Sequence, residues 1–236
     1  MRYRIKQEIT VREIDSAEAY ERILALRAHA YAASGKAAPT TTYQETRALG
    51  DAKVLGFYHR EQCVASFMIR FPADGARLES VDLALGHYPP TLPPKTDAIE
   101  VSKLCIHRDY RRTDLLKMLF EQVHRELVLA KRSSIVICCE PRLLGLYRAI
   151  GFRFTGHHFL KNGRRFEILV TTQKRFGLYG AHVGPIRWNL FLGEITREML
   201  KRGELPPQAA PLLLWSIYGL FGPLAVVLEN RKARTR

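Results

Sequence analysis

Glu140-Pro-Arg-Leu-Leu-Gly-Leu-Tyr-Arg-Ala-Ile-Gly-Phe152 is the stretch on which the fold turns. It follows a short, wholly apolar run, Ser134–Cys139, which reads as a strand buried on both faces. Its own pattern is a short helix, Arg142–Ile150, carrying Tyr147 and stopped by Gly151. Upstream, Ala98–Ile106 reads as another strand and runs into the basic turn His107-Arg-Asp-Tyr-Arg-Arg112. Thr113 suits an N-cap, and Leu115, Leu119, Val123 and Leu127 form one helical stripe reaching to about Lys131. Parallel neighbours need a crossover of a dozen or more residues, which this helix supplies. The two strands are therefore expected side by side and parallel.

The rest of the pattern extends a sheet on both sides of that pair. A first strand is expected over Tyr3–Val11. Asp15-Ser-Ala-Glu18 reads as a capping box, with Asp15 as N-cap, for a helix whose stripe is Ala19, Ile23, Leu26 and Ala30. Ser34-Gly35 ends it, and a Thr-rich loop, Pro39–Tyr43, follows. Ala52–Tyr58 and Cys63–Phe71 form a hairpin through His59-Arg-Glu-Gln62. Tyr88-Pro-Pro-Thr-Leu-Pro-Pro94 is a surface loop, because four prolines remove backbone donors. Phe154–Leu160 and Arg165–Thr171 flank the turn Lys161-Asn-Gly163.

Bulk composition bounds the chain's class. At 236 residues, 47% apolar and 25% charged, it is long enough for a full core. The four cysteines (Cys63, Cys105, Cys138, Cys139) lie in apolar strand-like runs without metal-ligand spacing, and read as reduced thiols of a cytoplasmic protein. The net charge of +14 is the unusual quantity; the tail residues Arg231, Lys232, Arg234 and Arg236 leave +10 in the body. Such a field hastens encounter with an anionic partner: nucleic acid, anionic lipid, a CoA tail or an acidic carrier protein. Neither an aromatic-basic strand motif nor a zinc site accompanies the charge, so a non-catalytic nucleic-acid module rests on charge alone.

Several residues carry chemistry. Glu100, in Ile99-Glu-Val-Ser-Lys-Leu104, suits a general base for an amine, or else a structural partner for a neighbouring Arg. Tyr147 suits the acid that protonates a leaving thiolate, or a core aromatic with a satisfied hydroxyl. The helix after the basic turn offers its N-terminus to phosphate.

Residues 10–172 resemble the GNAT acyltransferases, and within them the N-acyl amino acid synthases of the FeeM type and the acyl-homoserine-lactone synthases. Four segments carry the likeness: Leu26-Arg-Ala-His-Ala-Tyr31, Ser66-Phe-Met-Ile-Arg70, Glu100-Val-Ser-Lys-Leu104 and Glu140-Pro-Arg-Leu-Leu-Gly-Leu-Tyr147. The resemblance implies an α/β (α+β) GNAT fold, a mixed central sheet with helices on both faces. Its two central strands would splay to hold the donor's pantetheine arm, with Leu104, Cys105, Ile106, Arg111, Arg112 and Thr113 binding the donor. Glu100 and Tyr147 would be catalytic, and Arg27, Arg70 and Lys103 would meet the acceptor. An acyl thioester would serve as co-substrate, with no bound cofactor and no metal.

The implied reaction is transfer of a fatty acyl group from an acyl carrier protein or CoA to the amine of an amino acid. The alternative is an acetyl-CoA-dependent N-acetyltransferase acting on a small amine or a protein. The chain departs from the Arg-x-x-Gly-x-Gly phosphate loop of acetyl-CoA users, reading Arg111-Arg-Thr-Asp-Leu-Leu116. Without those glycines backbone amides approach a pyrophosphate less closely, and Asp114 brings a negative charge. A phosphopantetheine arm has one phosphodiester, and an acidic carrier would suit His107, Arg108, Arg111 and Arg112. Lys103 stands where the family has Arg, which removes a bidentate carboxylate contact.

Residues 1–176 are read as the acyltransferase domain and 177–236 as a C-terminal helical extension. In that extension Trp188, Leu192, Ile195 and Met199 align after Pro185, and residues 209–228 carry no charge ahead of the basic tail. Three readings compete for that run: an interfacial anchor on the inner membrane face, a helical pair packed on the core, and a true span. Pro211, Gly219, Gly222 and Pro223 interrupt it.

Overall fold

Side-chain alternation and loop length together set a mixed sheet. In the computed structural model, which describes residues 8–32, 35, 41–111, 113–173 and 175–176, seven strands pair in one sheet. Their order is β1 (Ile9–Glu13), β2 (Ala52–His59), β3 (Gln62–Arg70), β4 (Ala98–Ile106), β5 (Ser134–Cys139), β7 (Arg164–Thr172) and β6 (Arg153–Lys161). Every neighbouring pair is antiparallel except β4 and β5. Two-residue turns close the hairpins β2–β3 and β6–β7. In the second, Asn162 and Gly163 both take positive φ (52° and 70°), the conformation an Asn-Gly pair supplies at low cost. The first strand, expected from Tyr3, is described only from Ile9 and runs on to Glu13; its expected start lies outside the described residues.

The helices differ from the sequence pattern at several points. The first, α1 (Ala17–Ala32), begins one residue later than Asp15 would require. Ser16 Oγ accepts from the Ala19 N–H at 3.2 Å, and Glu18 turns outward to Arg22 at 2.7 Å. The cap is thus Ser16, because its short hydroxyl reaches the third helical N–H. A second helix, α2 (Tyr43–Ala48), begins at the end of the expected Thr-rich loop, Pro39–Tyr43, in a stretch to which the pattern assigns no element. Thr42 and Glu45 form a full capping box there, which offsets the cost of so short a helix. A single turn, α3 (Asp82–Leu85), interrupts the proline-rich connection. The crossover is α4 (Leu115–Leu129), followed by a 3-10 turn, Pro141–Leu143, and by α5 (Leu144–Ala149). At the start of α4 the N-cap position falls to Asp114 rather than the expected Thr113, while Thr113 Oγ1 still accepts from the Leu115 N–H at 3.2 Å.

Helices cover both faces of the sheet. On one, the stripe Leu115, Leu119, Val123 and Leu127 of α4 packs on Phe67, Ile99, Val101, Ile135 and Ile137. On the other, Tyr20 and Ile23 of α1 pack on Val54, Tyr58 and Met68, while Leu78, Val81 and Leu92 cover Ala98, Val136 and Ile168. Each fully buried large aliphatic contributes about 1.5–3 kcal/mol of transfer free energy, so this two-sided burial holds β4 and β5 at the centre. Among the described residues no helix is long and apolar enough to cross a membrane. The expected C-terminal extension, 177–236, including the apolar run 209–228, lies outside the described residues.

His124 of α4 lies fully buried with its ring 5.7 Å from that of Phe176. Burial pushes its pKa from the ordinary 6.5 down to about 3. The unfolded chain therefore takes up a proton below pH 6.5 that the folded chain refuses until about pH 3. The stability this neutral ring provides is present above pH 6.5 and is lost as pH falls, at about 1.4 kcal/mol per unit. Urea unfolding between pH 6.5 and 4 should show a shallower fall for His124→Leu than for wild type; parallel curves would remove this assignment.

Candidate active site

The central pair of strands comes apart halfway along. β4 and β5 pair only from Ala98↔Ser134 to Val101↔Ile137. Beyond that point Lys103 takes φ +54°, and the register between β3 and β4 shifts, so that Lys103 and Leu104 together face Phe67. One extra residue on one strand bends it and sharpens its twist, and here the bend carries β4 away from β5. β5 itself stays paired with β7 as far as Cys139↔Glu167. Its end is pinned by Glu140, which receives Arg142 at 2.7 Å and Arg164 at 3.6 Å.

The opening is a cavity of about 150 Å³ whose lining includes Val101, Ser102, Leu104, Cys138, Cys139 and Tyr147. Backbone groups of β4 that would have faced β5 past Val101 have no strand partner there, so an extended, amide-bearing chain can take them. Leu104, Cys105 and Ile106, expected to hold the donor, all lie on this freed stretch. A wider groove of about 630 Å³ runs along Lys53, Phe71, Gln122 and Arg125. It shares no residue with the opening and holds none of the expected site residues.

The anion end follows directly from the freed strand. A 3-10 turn, Arg108–Tyr110, leads into Thr113, whose hydroxyl donates to the Tyr110 carbonyl at 2.7 Å and so fixes the entry to α4. Arg111 is exposed and reaches back to the carbonyls of Ile106 (3.3 Å) and Ala30 (3.5 Å). His107 stacks on His29 with ring centroids 5.2 Å apart. Arg112 lies outside the described residues.

Glu100 and Tyr147 occupy opposite sides of the sheet. Glu100 is fully buried, one residue before the last β4–β5 pair. Its carboxylate accepts from the N–H groups of Glu79 (3.1 Å) and Ser80 (2.6 Å) and from the Ser80 hydroxyl. Burial nonetheless pushes its pKa above the ordinary carboxylate range, against the lowering by those donors. Glu100 does not itself line the cavity; Tyr147 does. The Tyr147 ring packs edge-on against Phe120 and Phe152, and burial raises its pKa.

The three expected acceptor cations differ sharply. Arg70 offers no free fork, which corrects the expectation that it meets the acceptor. Its Nε and Nη2 pair with both oxygens of Asp51 at 3.0 and 2.9 Å, and its Nη1 donates to the Arg77 carbonyl at 2.5 Å. Lys103 Nζ lies 3.6 Å from Glu79 and 3.4 Å from Thr41 Oγ1. Arg27 is the exception: it is 0% exposed, and none of its three guanidinium nitrogens has a hydrogen-bond partner among the described residues. The ring of Tyr20 lies 5.9 Å away. Its charge also counters the burial that pushes Tyr31 up to about 12, and Tyr31 lines the cavity.

Sequence reasoning missed Asp51, Glu79, Ser80 and Ser102. The first three sit in connections without periodicity, and only the fold brings them to Arg70 and Glu100. Among the described residues no group of three or more His, Cys, Asp or Glu side chains could hold a metal ion.

Comparison with known proteins follows the same lines. The family described as "N-acyl amino acid synthase FeeM" matches residues 22–163. The structure of FeeM, an N-acyl amino acid synthase from uncultured soil microbes, superposes with a TM-score of 0.59 at 11% identity, covering 72% of this chain and 94% of that one. An acyl-CoA N-acyltransferase from Pseudomonas aeruginosa gives 0.50 at 14% identity, covering 69% and 97%. Escherichia coli ElaA gives 0.50 at 12%, covering 68% and 98%. These likenesses show the GNAT fold. No curated protein matches the chain.

If Arg70 is spent on structure, losing its partner should cost stability. Asp51→Ala leaves a buried guanidinium uncompensated and should cost about 3–5 kcal/mol in urea unfolding. Asp51→Leu combined with Arg70→Met should recover most of it. Equal losses in the single and double variants would show that the pair is not what the site rests on.

Proposed function

This chain belongs to the FeeM family of N-acyl amino acid synthases and is an N-acyltransferase, and from that premise we propose that it joins a fatty acyl group, carried as a thioester on acyl carrier protein, to the amine of an α-amino acid. Arg27 is the observation that carries the proposal. A buried guanidinium with no hydrogen-bond partner among the described residues is costly unless an anion completes it, and a carboxylate matches its fork. An acceptor bearing an α-carboxylate would bring that anion and place its amine beside the parted strands.

The residues divide the chemistry as follows. The thioester lies along the freed edge of β4 at Leu104, Cys105 and Ile106, with its phosphate toward Arg111, Arg112 and Thr113. Lys103 helps hold the acceptor. The amine attacks the thioester carbonyl directly and gives its surplus proton to Glu100 through water, since that carboxyl is buried behind Ser80. A pKa above the usual range makes Glu100 a better proton acceptor than a surface carboxylate. Tyr147 protonates the departing thiolate. Burial that raises the phenol raises neighbouring thiols as well, Cys138 and Cys139 to about 12. A leaving thiolate in the same surroundings is correspondingly more basic, so burial does not widen the gap between the phenol and the thiol it must protonate.

Two observations favour the carrier protein over CoA. The turn Arg111-Arg-Thr-Asp114 lacks the glycines that bring amides to a pyrophosphate, and the net charge of +14 suits an acidic carrier. The uncharged run 209–228 with its basic tail supports a peripheral contact with the inner membrane face, near lipid-derived substrates. Use of acetyl-CoA on a small amine or a protein is the rival reading, and a panel of donors separates them: decanoyl carrier protein consumed in preference to acetyl-CoA supports the proposal, and the reverse overturns it.

Lipid extracts from cells expressing wild type should contain new N-acyl amino acids by mass spectrometry. Glu100→Gln should lower their rate of formation by about 10²–10⁴-fold, the usual range for a general base. Arg27→Met should raise the acceptor KM by at least about tenfold, the loss of a charge-assisted hydrogen bond. It should leave the melting temperature unchanged or higher, because a buried charge with no hydrogen-bond partner among the described residues has been removed. A wild-type KM in Arg27→Met would detach the acceptor from this residue.

A further inference from the structure

Ser102 is the first residue of β4 beyond its last pairing with β5, and it lines the cavity between the strands. Its hydroxyl is buried and has no hydrogen-bond partner among the described residues. A buried hydroxyl without a partner costs about 1–3 kcal/mol, and most buried polar groups in native proteins avoid it. Two residues along on the same face, Glu100 is saturated by three donors. The strand therefore presents one satisfied carboxylate and one unsatisfied hydroxyl to the same side, at the point where it opens.

We infer that the Ser102 hydroxyl donates to the thioester oxygen as it becomes an oxyanion. The inference rests on the acyl-transfer reading above. With the amine held from the Arg27 side and the thiolate leaving toward Tyr147, the third substituent of the reacting carbon, its oxygen, needs a donor inside the opening. The nitrogen lone pair forms the C–N bond, and the carbonyl π pair moves onto oxygen, where Ser102 Oγ–H meets it. That pair then reforms the carbonyl, the C–S bond breaks, and the thiolate takes its proton from Tyr147 while Glu100 holds the proton lost by the amine. Ser102 is not assigned as the nucleophile, because among the described residues no base lies within hydrogen-bonding reach of its hydroxyl to activate it.

The test uses full-length wild type and Ser102→Ala, a decanoyl thioester of acyl carrier protein, and whichever of the twenty common amino acids wild type acylates fastest. Loss of one oxyanion donor should lower kcat roughly 100-fold while the acceptor KM stays within about twofold. The melting temperature should hold or rise, since the deleted hydroxyl has no hydrogen-bond partner among the described residues. No acyl adduct should be detected on intact wild type by mass spectrometry. A kcat within about twofold of wild type, a change confined to the acceptor KM, a lowered melting temperature with a proportionate loss of activity, or an acyl group on Ser102 would each overturn the inference. Wild type that acylates none of the twenty amino acids would instead overturn the function on which the inference rests.

Discussion

One extra residue in one strand organises this molecule. β4 must pair with β3 along its length, yet Lys103 adopts φ +54° and the register slips by one opposite Phe67. Because β3 is held by β2 and by packing from both faces, the bend is expressed on the other side, where β4 leaves β5 after Val101. β5 cannot follow, since β7 pairs with it to its end and Glu140 ties that end to two arginines. An opening in the middle of a sheet follows from these constraints, with unpaired backbone along one wall and apolar side chains along the other.

Polar groups around the opening fall into two kinds. Asp51 closes on Arg70, and the loop at Glu79 and Ser80 closes on the Glu100 carboxylate. Such groups are buried with partners, as interiors require. Arg27 and Ser102 are buried without hydrogen-bond partners among the described residues, one a cation and one a neutral donor. Unsatisfied groups of this kind are expected at sites where a ligand completes them, and there stability is given up for function. The contrast also distinguishes three cations of like charge: among the described residues Arg27 has no hydrogen-bond partner, Arg70 is fully paired and Lys103 is loosely paired.

Much of the fold was legible because its signals are local and periodic. Ala98–Ile106 and Ser134–Cys139 appear with the expected ends, and the α4 stripe buries the four leucine and valine positions that the spacing picks out. Capping was harder. Ser16 rather than Asp15 caps α1, Asp114 rather than Thr113 stands at the N-cap of α4, and Thr42 with Glu45 starts a helix, from the end of the Thr-rich loop, that the pattern does not assign. The site was legible only in part. Tyr147 and the freed strand follow from spacing and resemblance, whereas the pairing of Arg70 with Asp51 joins two residues nineteen positions apart through a hairpin register. Ser102 falls inside the Glu100–Leu104 segment that carries the resemblance, but what marks its hydroxyl is the lack of a partner among the described residues, which only three dimensions show.

The account stands on a thioester arm lying between β4 and β5. Amide hydrogen exchange, measured with and without a stable thioether analogue of acyl-phosphopantetheine, tests this directly. Slowed exchange should centre on residues 102–106 and 138–140, with the paired stretch 98–101 and the outer strand β1 unchanged. Slowing that instead falls along the groove of Lys53, Gln122 and Arg125, or that leaves residues 102–106 untouched, would contradict it.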